Sequence, residues 1–207
     1  APHSPTATLD YYPENAYTIQ HYSTKIERWP WDRSKPWHVG ECSFANHLQY
    51  GTLVSGSRAS RSKQQAREAK AKYLRMLYGG YRWAGVHAFF PWDNLAEFDD
   101  VQKIFSDLCV IPRKQTHRLY GGRENALLVK VMNDTLSTAP LTFSWSYSFD
   151  GDRIAGEEMQ LQVEPGFGRP CVLTIQPPSV DGRVNGSLQV QVTQPGGGEF
   201  MDSWSIP

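Results

Sequence analysis

The sequence lacks a charge imbalance: Lys+Arg and Asp+Glu each number 21 in 207 residues. A balanced chain has no long-range field to draw it to nucleic acid or to an anionic membrane surface, so neither is an expected partner. No apolar run reaches the length of a membrane-crossing helix, and no membrane span is expected. Cysteine is scarce. Cys42, Cys109 and Cys171 are odd in number and widely spaced, which argues against a disulfide framework and against a zinc site. They leave room for one bridge, with Cys109 and Cys171 the expected pair. A phosphate loop, a dinucleotide fingerprint and metal-ligand spacing are all missing, so no cofactor and no metal is expected. The Gly-x-Ser-x-Gly elbow of an α/β-hydrolase is missing too; neither Gly51-Thr52 nor Gly56-Ser57 supplies it. The opening Ala1-Pro2-His3-Ser4-Pro5 carries neither an initiator Met nor a signal-peptide pattern. It reads as a processed chain or as a piece of a longer one, and a secreted or periplasmic location is compatible with either.

What the chain does have is aromatic residues, seven Trp and ten Tyr. Such an excess often serves the core, and sugar-binding clefts use it too, because an aromatic face packs on the apolar face of a pyranose. In chain order, residues 8–12 read as a short strand. Residues 16–29 carry Tyr17, Ile19, His21, Tyr22 and Ile26 at rough helical spacing. A second short strand ends at Glu41, and a loop rich in Gly, Ser and Asn follows. Residues 63–78 are dense in strong helix formers, with Ala66, Ala69, Tyr73, Met76 and Leu77 as the apolar stripe and Gly79-Gly80 as the expected stop. A third strand is expected over 82–92. Strand, helix, strand, helix, strand implies parallel pairing through crossovers.

After residue 108 the period changes to two. Leu141, Phe143, Trp145, Tyr147 and Phe149 alternate with Thr142 and three serines. Leu127, Val129 and Val131, then Met159, Leu161 and Val163, then Cys171, Leu173 and Ile175, then Leu188, Val190 and Val192 repeat the pattern. Asp150-Gly151, Pro165-Gly166, Pro177-Pro178 and Gly196-Gly197-Gly198 separate the runs. Short alternating strands between turn signals imply an antiparallel sandwich of immunoglobulin type. Residues 1–108 are thus expected to be α/β and residues 109–207 all-β.

Three strand ends in the first part carry the chemistry-bearing groups: Asp10-Tyr11-Tyr12, Gly40-Glu41 and Trp92-Asp93. A barrel of β/α units keeps its catalytic residues at such C-terminal ends. Strict alternation puts Glu41, Val39 and Trp37 on one face of their strand. It turns His38 and His87 toward a helix layer, as satisfied polar groups. Gly40 beside Glu41 lets a ligand approach closely. Tyr11 or Tyr12 can hold a carboxylate ionised and oriented, and Trp92 can floor a sugar. Arg58, Arg61, Lys63 and Arg67 read as a solvated helix face. Asn133-Asp134-Thr135 and Asn185-Gly186-Ser187 match the glycosylation pattern.

These residues resemble the C-terminal part of a retaining glycoside hydrolase of the large (β/α)8-barrel clan, most closely the family 2 β-galactosidase relatives. There strand seven reads K-P-x-x-x-G-E with the Glu as nucleophile, matched by Lys35, Pro36, Gly40 and Glu41. A tyrosine ends strand six, as Tyr11-Tyr12 does here, and a tryptophan under the sugar ends strand eight, as Trp92-Asp93 does. Such enzymes continue into a sandwich, whose opening is similar to the segments 120–124 and 131–135. The resemblance implies a carbohydrate substrate, Glu41 as catalytic nucleophile, and Tyr11, Tyr12, Trp92 and Asp93 as substrate-binding residues.

The departures are equally specific. The family's general acid sits in an Asn-Glu pair ending strand four. No such pair occurs here, and Glu14-Asn15 has the reverse order. Three strands of eight leave the barrel incomplete. A missing N-terminal barrel segment, or a complementary chain, is therefore an expected partner, and this chain alone is expected to be inactive. The competing reading is a non-catalytic carbohydrate-binding or structural sandwich with a degenerate barrel remnant.

Overall fold

The structure is a computed structural model and describes residues 18–20, 26–28, 34–36, 38–42, 63–91, 98–114 and 118–206. The chain divides into two compact units, Ala1–Ile104 and Phe105–Pro207.

In the first unit, β1 (Thr18–Gln20) pairs antiparallel with β2 (Ile26–Arg28), Ile19 opposite Glu27. This corrects the helix expected over 16–29. Helical spacing of apolar residues is a weak signal over one short window, and the β-branched Thr18, Ile19 and Ile26 favour extended backbone. Next, β3 (His38–Cys42) pairs in parallel with β4 (Ala88–Pro91), and α1 (Lys63–Ala84) lies between them in sequence. That is one strand–helix–strand crossover. The described residues hold this single parallel pair and no closed barrel.

The long helix overruns its expected stop. Gly79 and Gly80 lie inside α1 and are buried. A helical glycine costs about 1 kcal/mol relative to alanine, and the packing beyond it offsets that cost. Tyr78 stacks on Phe89 of β4 with ring centroids 5.3 Å apart and planes 9° apart. Tyr81 meets the same ring at 5.4 Å. The helix ends instead at Gly85, with φ of 80°. Gly85 N donates to Arg82 O at 3.1 Å and Val86 N to Tyr81 O at 2.9 Å, the paired bonds of a Schellman cap. The strand expected over 82–92 is therefore four residues long and starts at Ala88. A short helix, α2 (Asp99–Gln102), follows and runs into a 3₁₀ turn. Buried Arg82 donates to Ile104 O, and Arg75 Nη1 to Asp100 O at 2.9 Å.

The described residues of the second unit form seven strands: β5 (Leu108–Pro112), β6 (Asn125–Asn133), β7 (Leu141–Phe149), β8 (Asp152–Leu161), β9 (Phe167–Ile175), β10 (Gly186–Gln194) and β11 (Gly198–Ile206). They form two antiparallel sheets, β5-β6-β9 and β11-β10-β7-β8. Leu141, Phe143, Trp145 and Tyr147 of β7 are buried while the residues between them are not. The same alternation buries Leu173 and Ile175 of β9 and Leu188, Val190 and Val192 of β10. Each sheet thus presents one apolar face to a shared core, the architecture of a β-sandwich. Burial of each such side chain stabilises by about 1.5–3 kcal/mol. β8 pairs with β7 rather than β9, unlike the four-strand sheet of a constant immunoglobulin domain. As an edge strand it carries a register shift opposite Tyr147/Ser148 and the charges Asp152, Arg153, Glu157 and Glu158, which discourage pairing with another chain.

The β7–β8 turn is Asp150-Gly151, with φ of 51° and 88°, the two-residue primed hairpin expected of Asp-Gly. Cys109 and Cys171 are both buried free thiols, so the bridge for which the sequence leaves room does not join them. Cys109 pairs with Met132 and Cys171 with Val129 from opposite sides of β6. Two interstrand spacings of about 4.8 Å separate them, beyond disulfide reach.

Candidate functional site

The strand-end site expected from the sequence falls at the C-terminal ends of β3 and β4. Lys35 and Pro36 lead into β3 and are exposed. The ladder then slips at Gly40: Val39 is level with Phe89, but Glu41 is level with Phe90. β3 spends two residues where β4 spends one, so Gly40 is the extra residue of a bulge. Bulges bend a strand and re-aim the residue that follows, and glycine accepts the distorted backbone at low cost. Strict alternation, which put Glu41 and Val39 on one face, presupposes an unbroken ladder and does not carry across this slip.

Glu41 is described by its backbone position, as the fourth residue of β3. Tyr11, Tyr12, Trp92 and Asp93 lie outside the described residues. The two histidines depart from expectation. His38 and His87 are both exposed, so neither is sealed beneath a helix. His38 opens the two-stranded ladder, and His87 lies in the link between Gly85 and β4, ahead of the strand.

β4 shows two unlike faces. Phe89 lies against Tyr78 and Tyr81 of α1, while Phe90 is 60% exposed. The phenylalanine level with Glu41 is thus on open surface. Two described carboxylates of this unit are engaged on the helices. Glu68 accepts from the Gln64 amide at 3.0 Å, and Asp100 lies 3.5 Å from Lys103 Nζ. The basic cluster is more than a solvated face: the Arg67 guanidinium sits 5.6 Å, and Lys70 Nζ 5.8 Å, from the ring centroid of buried Phe98. Phe98 begins an apolar series with Val101 and Ile104, but its pairing with a basic helix face some thirty residues earlier is a tertiary contact that no local spacing marks.

In the second unit, Asn133-Asp134-Thr135 is a structural knot. The Asn133 side chain is fully buried and donates to Val163 O at 2.7 Å and Ser137 O at 3.1 Å. Its Oδ1 accepts from Thr135 N at 3.1 Å. The Thr135 hydroxyl lies 2.6 Å from Asn133 Oδ1 and 2.9 Å from Gln194 Oε1, and its one proton serves one of them at a time. Gln194 Nε2 donates to Ser137 O and Ala139 O. An amide so placed cannot accept a glycan in the folded state, whereas Asn185 is exposed. Buried Asp202 accepts from Trp204 Nε1 at 2.7 Å.

No family model and no curated protein sequence matches this chain. Partial likenesses to solved structures exist. The sporulation control protein Spo0M of Bacillus subtilis is 16% identical at TM-score 0.34, over 48% of this chain and 47% of its own. A β-glucuronidase of glycoside hydrolase family 2 is 9% identical at TM-score 0.35, over 47% of this chain and 11% of its own. A superoxide reductase (neelaredoxin) of Ignicoccus hospitalis is 12% identical at TM-score 0.37, over 54% of this chain and 87% of its own. The chain spans about half of the first of these proteins and about a tenth of the second. Glycoside hydrolases and unrelated proteins stand side by side here, and likenesses this partial settle neither family nor function.

Proposed function

We propose that this chain is the C-terminal part of a retaining glycoside hydrolase in which Glu41 is the nucleophile. The observation that carries the reading is the placement of Gly40-Glu41 near the C-terminal end of a strand in a parallel strand–helix–strand unit. In that role the Glu41 carboxylate attacks the anomeric carbon as the bond to the leaving oxygen breaks, and water later hydrolyses the glycosyl ester. A carboxylic acid from the absent barrel strands protonates the leaving oxygen. In a retaining enzyme its carboxyl group stands about 5–5.5 Å from the nucleophile. Tyr11 and Tyr12 orient the nucleophile, and Trp92 and Asp93 contact the sugar. The exposed Phe90 face of β4 is where the remaining strands, from the same polypeptide or a complementary chain, close the structure.

Glu41→Gln in the full-length protein should abolish turnover of an aryl glycoside and leave the thermal transition unchanged. Retained activity removes Glu41 from the mechanism. The isolated 207 residues should show no turnover, since one carboxylate of the pair is missing. The coding sequence upstream tests the same reading. Five further strand–helix units with Asn-Glu ending the fourth support it, and an unrelated domain there favours the non-catalytic alternative.

A further inference from the structure

One end of the sandwich holds a cleft of about 510 Å³, within the size range of small-ligand sites. Its walls come from the β5–β6 and β9–β10 connections and from the ends of β7 and β11. Arg118 and Arg183 both line it, and no carboxylate does. Both arginines are exposed, and no described carboxylate pairs with either guanidinium. Two unopposed guanidiniums on one cleft favour an anion, above all a planar carboxylate that accepts two parallel N–H bonds.

The cleft is built rather than incidental. Tyr120, 68% exposed, sits on a turn fixed from both sides. Asn125 Oδ1 accepts from Tyr120 N at 2.9 Å, while its Nδ2 donates to Tyr120 O at 3.0 Å and Arg123 O at 2.8 Å. Gly122 N donates to Pro177 O at 2.8 Å and so ties this turn to the opposite wall. The walls meet so closely that a Cβ on Gly121 would lie 2.7 Å from Pro178 O. Tyr147 also lines the cleft. It is 3% exposed as a residue, and its ring packs on Gly186, where an added Cβ would meet the hydroxyl.

We propose that this cleft binds an acidic saccharide, with its carboxylate held by Arg118 and Arg183, a sugar hydroxyl by Tyr147, and a pyranose face by the Tyr120 ring. Nothing in this assignment depends on Glu41. A nucleotide fits less well, because the cleft offers neither a helix N-terminus nor a glycine-rich phosphate loop. The ring and the hydroxyl are what separate a saccharide from a bare anion.

The test is isothermal titration of the 207-residue chain with tetragalacturonate, with a neutral tetrasaccharide, and with sulfate, all at low salt. Tetragalacturonate should bind at least about tenfold more tightly than either other probe, a difference of about 1.4 kcal/mol. The double substitution Arg118→Ala/Arg183→Ala should weaken it by at least about tenfold, and Tyr120→Ala and Tyr147→Phe each by a few-fold. A thermal transition unchanged in the arginine and Tyr120 variants shows that the fold is intact, since those side chains are exposed. Failure of tetragalacturonate to bind, equal affinity for the neutral sugar, equal affinity for sulfate, or binding that survives the double substitution each overturns the proposal. Activity in the full-length enzyme is untouched by any of these outcomes, so the Glu41 reading stands or falls separately.

Discussion

Single residues decide more here than their types suggest. Asn133 satisfies carbonyls of Ser137 and Val163 and accepts from Thr135, all without contact with water. Asn133→Ala takes the partner from the buried Val163 carbonyl and from Thr135 N, while Ser137 O keeps Gln194, and should cost about 2–3 kcal/mol, read as a shift in the urea midpoint. Asn185→Ala, on exposed backbone, should stay within about 0.5 kcal/mol. Both asparagines head the same three-residue pattern in the sequence. Their unlike roles were illegible there because the groups that engage Asn133 and Thr135 arrive from the β8–β9 connection and from β10. Glu41 is the opposite case. Its candidacy was readable from Lys35-Pro36 and Gly40-Glu41 alone, but the slip at Gly40 was not, since a bulge exists only relative to a partner strand.

At the scale of elements, the strong local signals held and the weak ones yielded to packing. Alternation over Leu141 to Phe149 became β7, and Asp150-Gly151 became its hairpin turn. β11 repeats the pattern with Phe200, Asp202, Trp204 and Ile206 buried, a strand that went unassigned because a buried acid interrupts its apolar series. The α1 terminus shows the other outcome. Two adjacent glycines look like a stop, yet the helix continues until Gly85 adopts positive φ and closes the Schellman bonds. Gly85→Ala should therefore destabilise by about 1 kcal/mol, and Gly85→Asn by less, because asparagine tolerates the left-handed region. Chemical denaturation monitored by helix circular dichroism measures both. Equal stability of all three proteins would show that Gly85 is not the cap.

For the molecule as a whole, the telling quantity is the dependence of stability on alkaline pH. Burial pushes the Tyr147 hydroxyl above the usual tyrosine range. It pushes the Cys171 thiol up as well, with Arg169 opposing and Glu157 adding to the shift. In the unfolded chain both groups lose their protons at ordinary values, about 8.5 for the thiol and about 10 for the phenol. Between those values and the raised ones the folded state holds more protons than the unfolded state. Stability is thus full below the ordinary values and falls as pH rises through the raised ones. The thermal midpoint should be level up to about pH 8 and decline above it, and Tyr147→Phe should flatten the upper part of that decline. A midpoint that climbs across this window would contradict the assignment. Among the described residues no helix is long and apolar enough to cross a membrane.

The sequence by itself determined what depends on near neighbours. Period-two burial marked most of the sandwich strands, because side-chain direction along a strand is a local property. Asp-Gly marked the primed turn, because φ is set at the residue. The run through Gly40-Glu41 marked a short strand. Tertiary structure alone decided what depends on distant partners. Phe89 lies under Tyr78 and Tyr81 and carries α1 past its glycines. β6 stands between Cys109 and Cys171 and keeps both thiols free. Two connections far apart in the chain bring Arg118, Tyr120 and Arg183 to one cleft beside Tyr147. Each of these depends on which segments the fold brings side by side, and that is a property of the pair rather than of either partner's own stretch of chain.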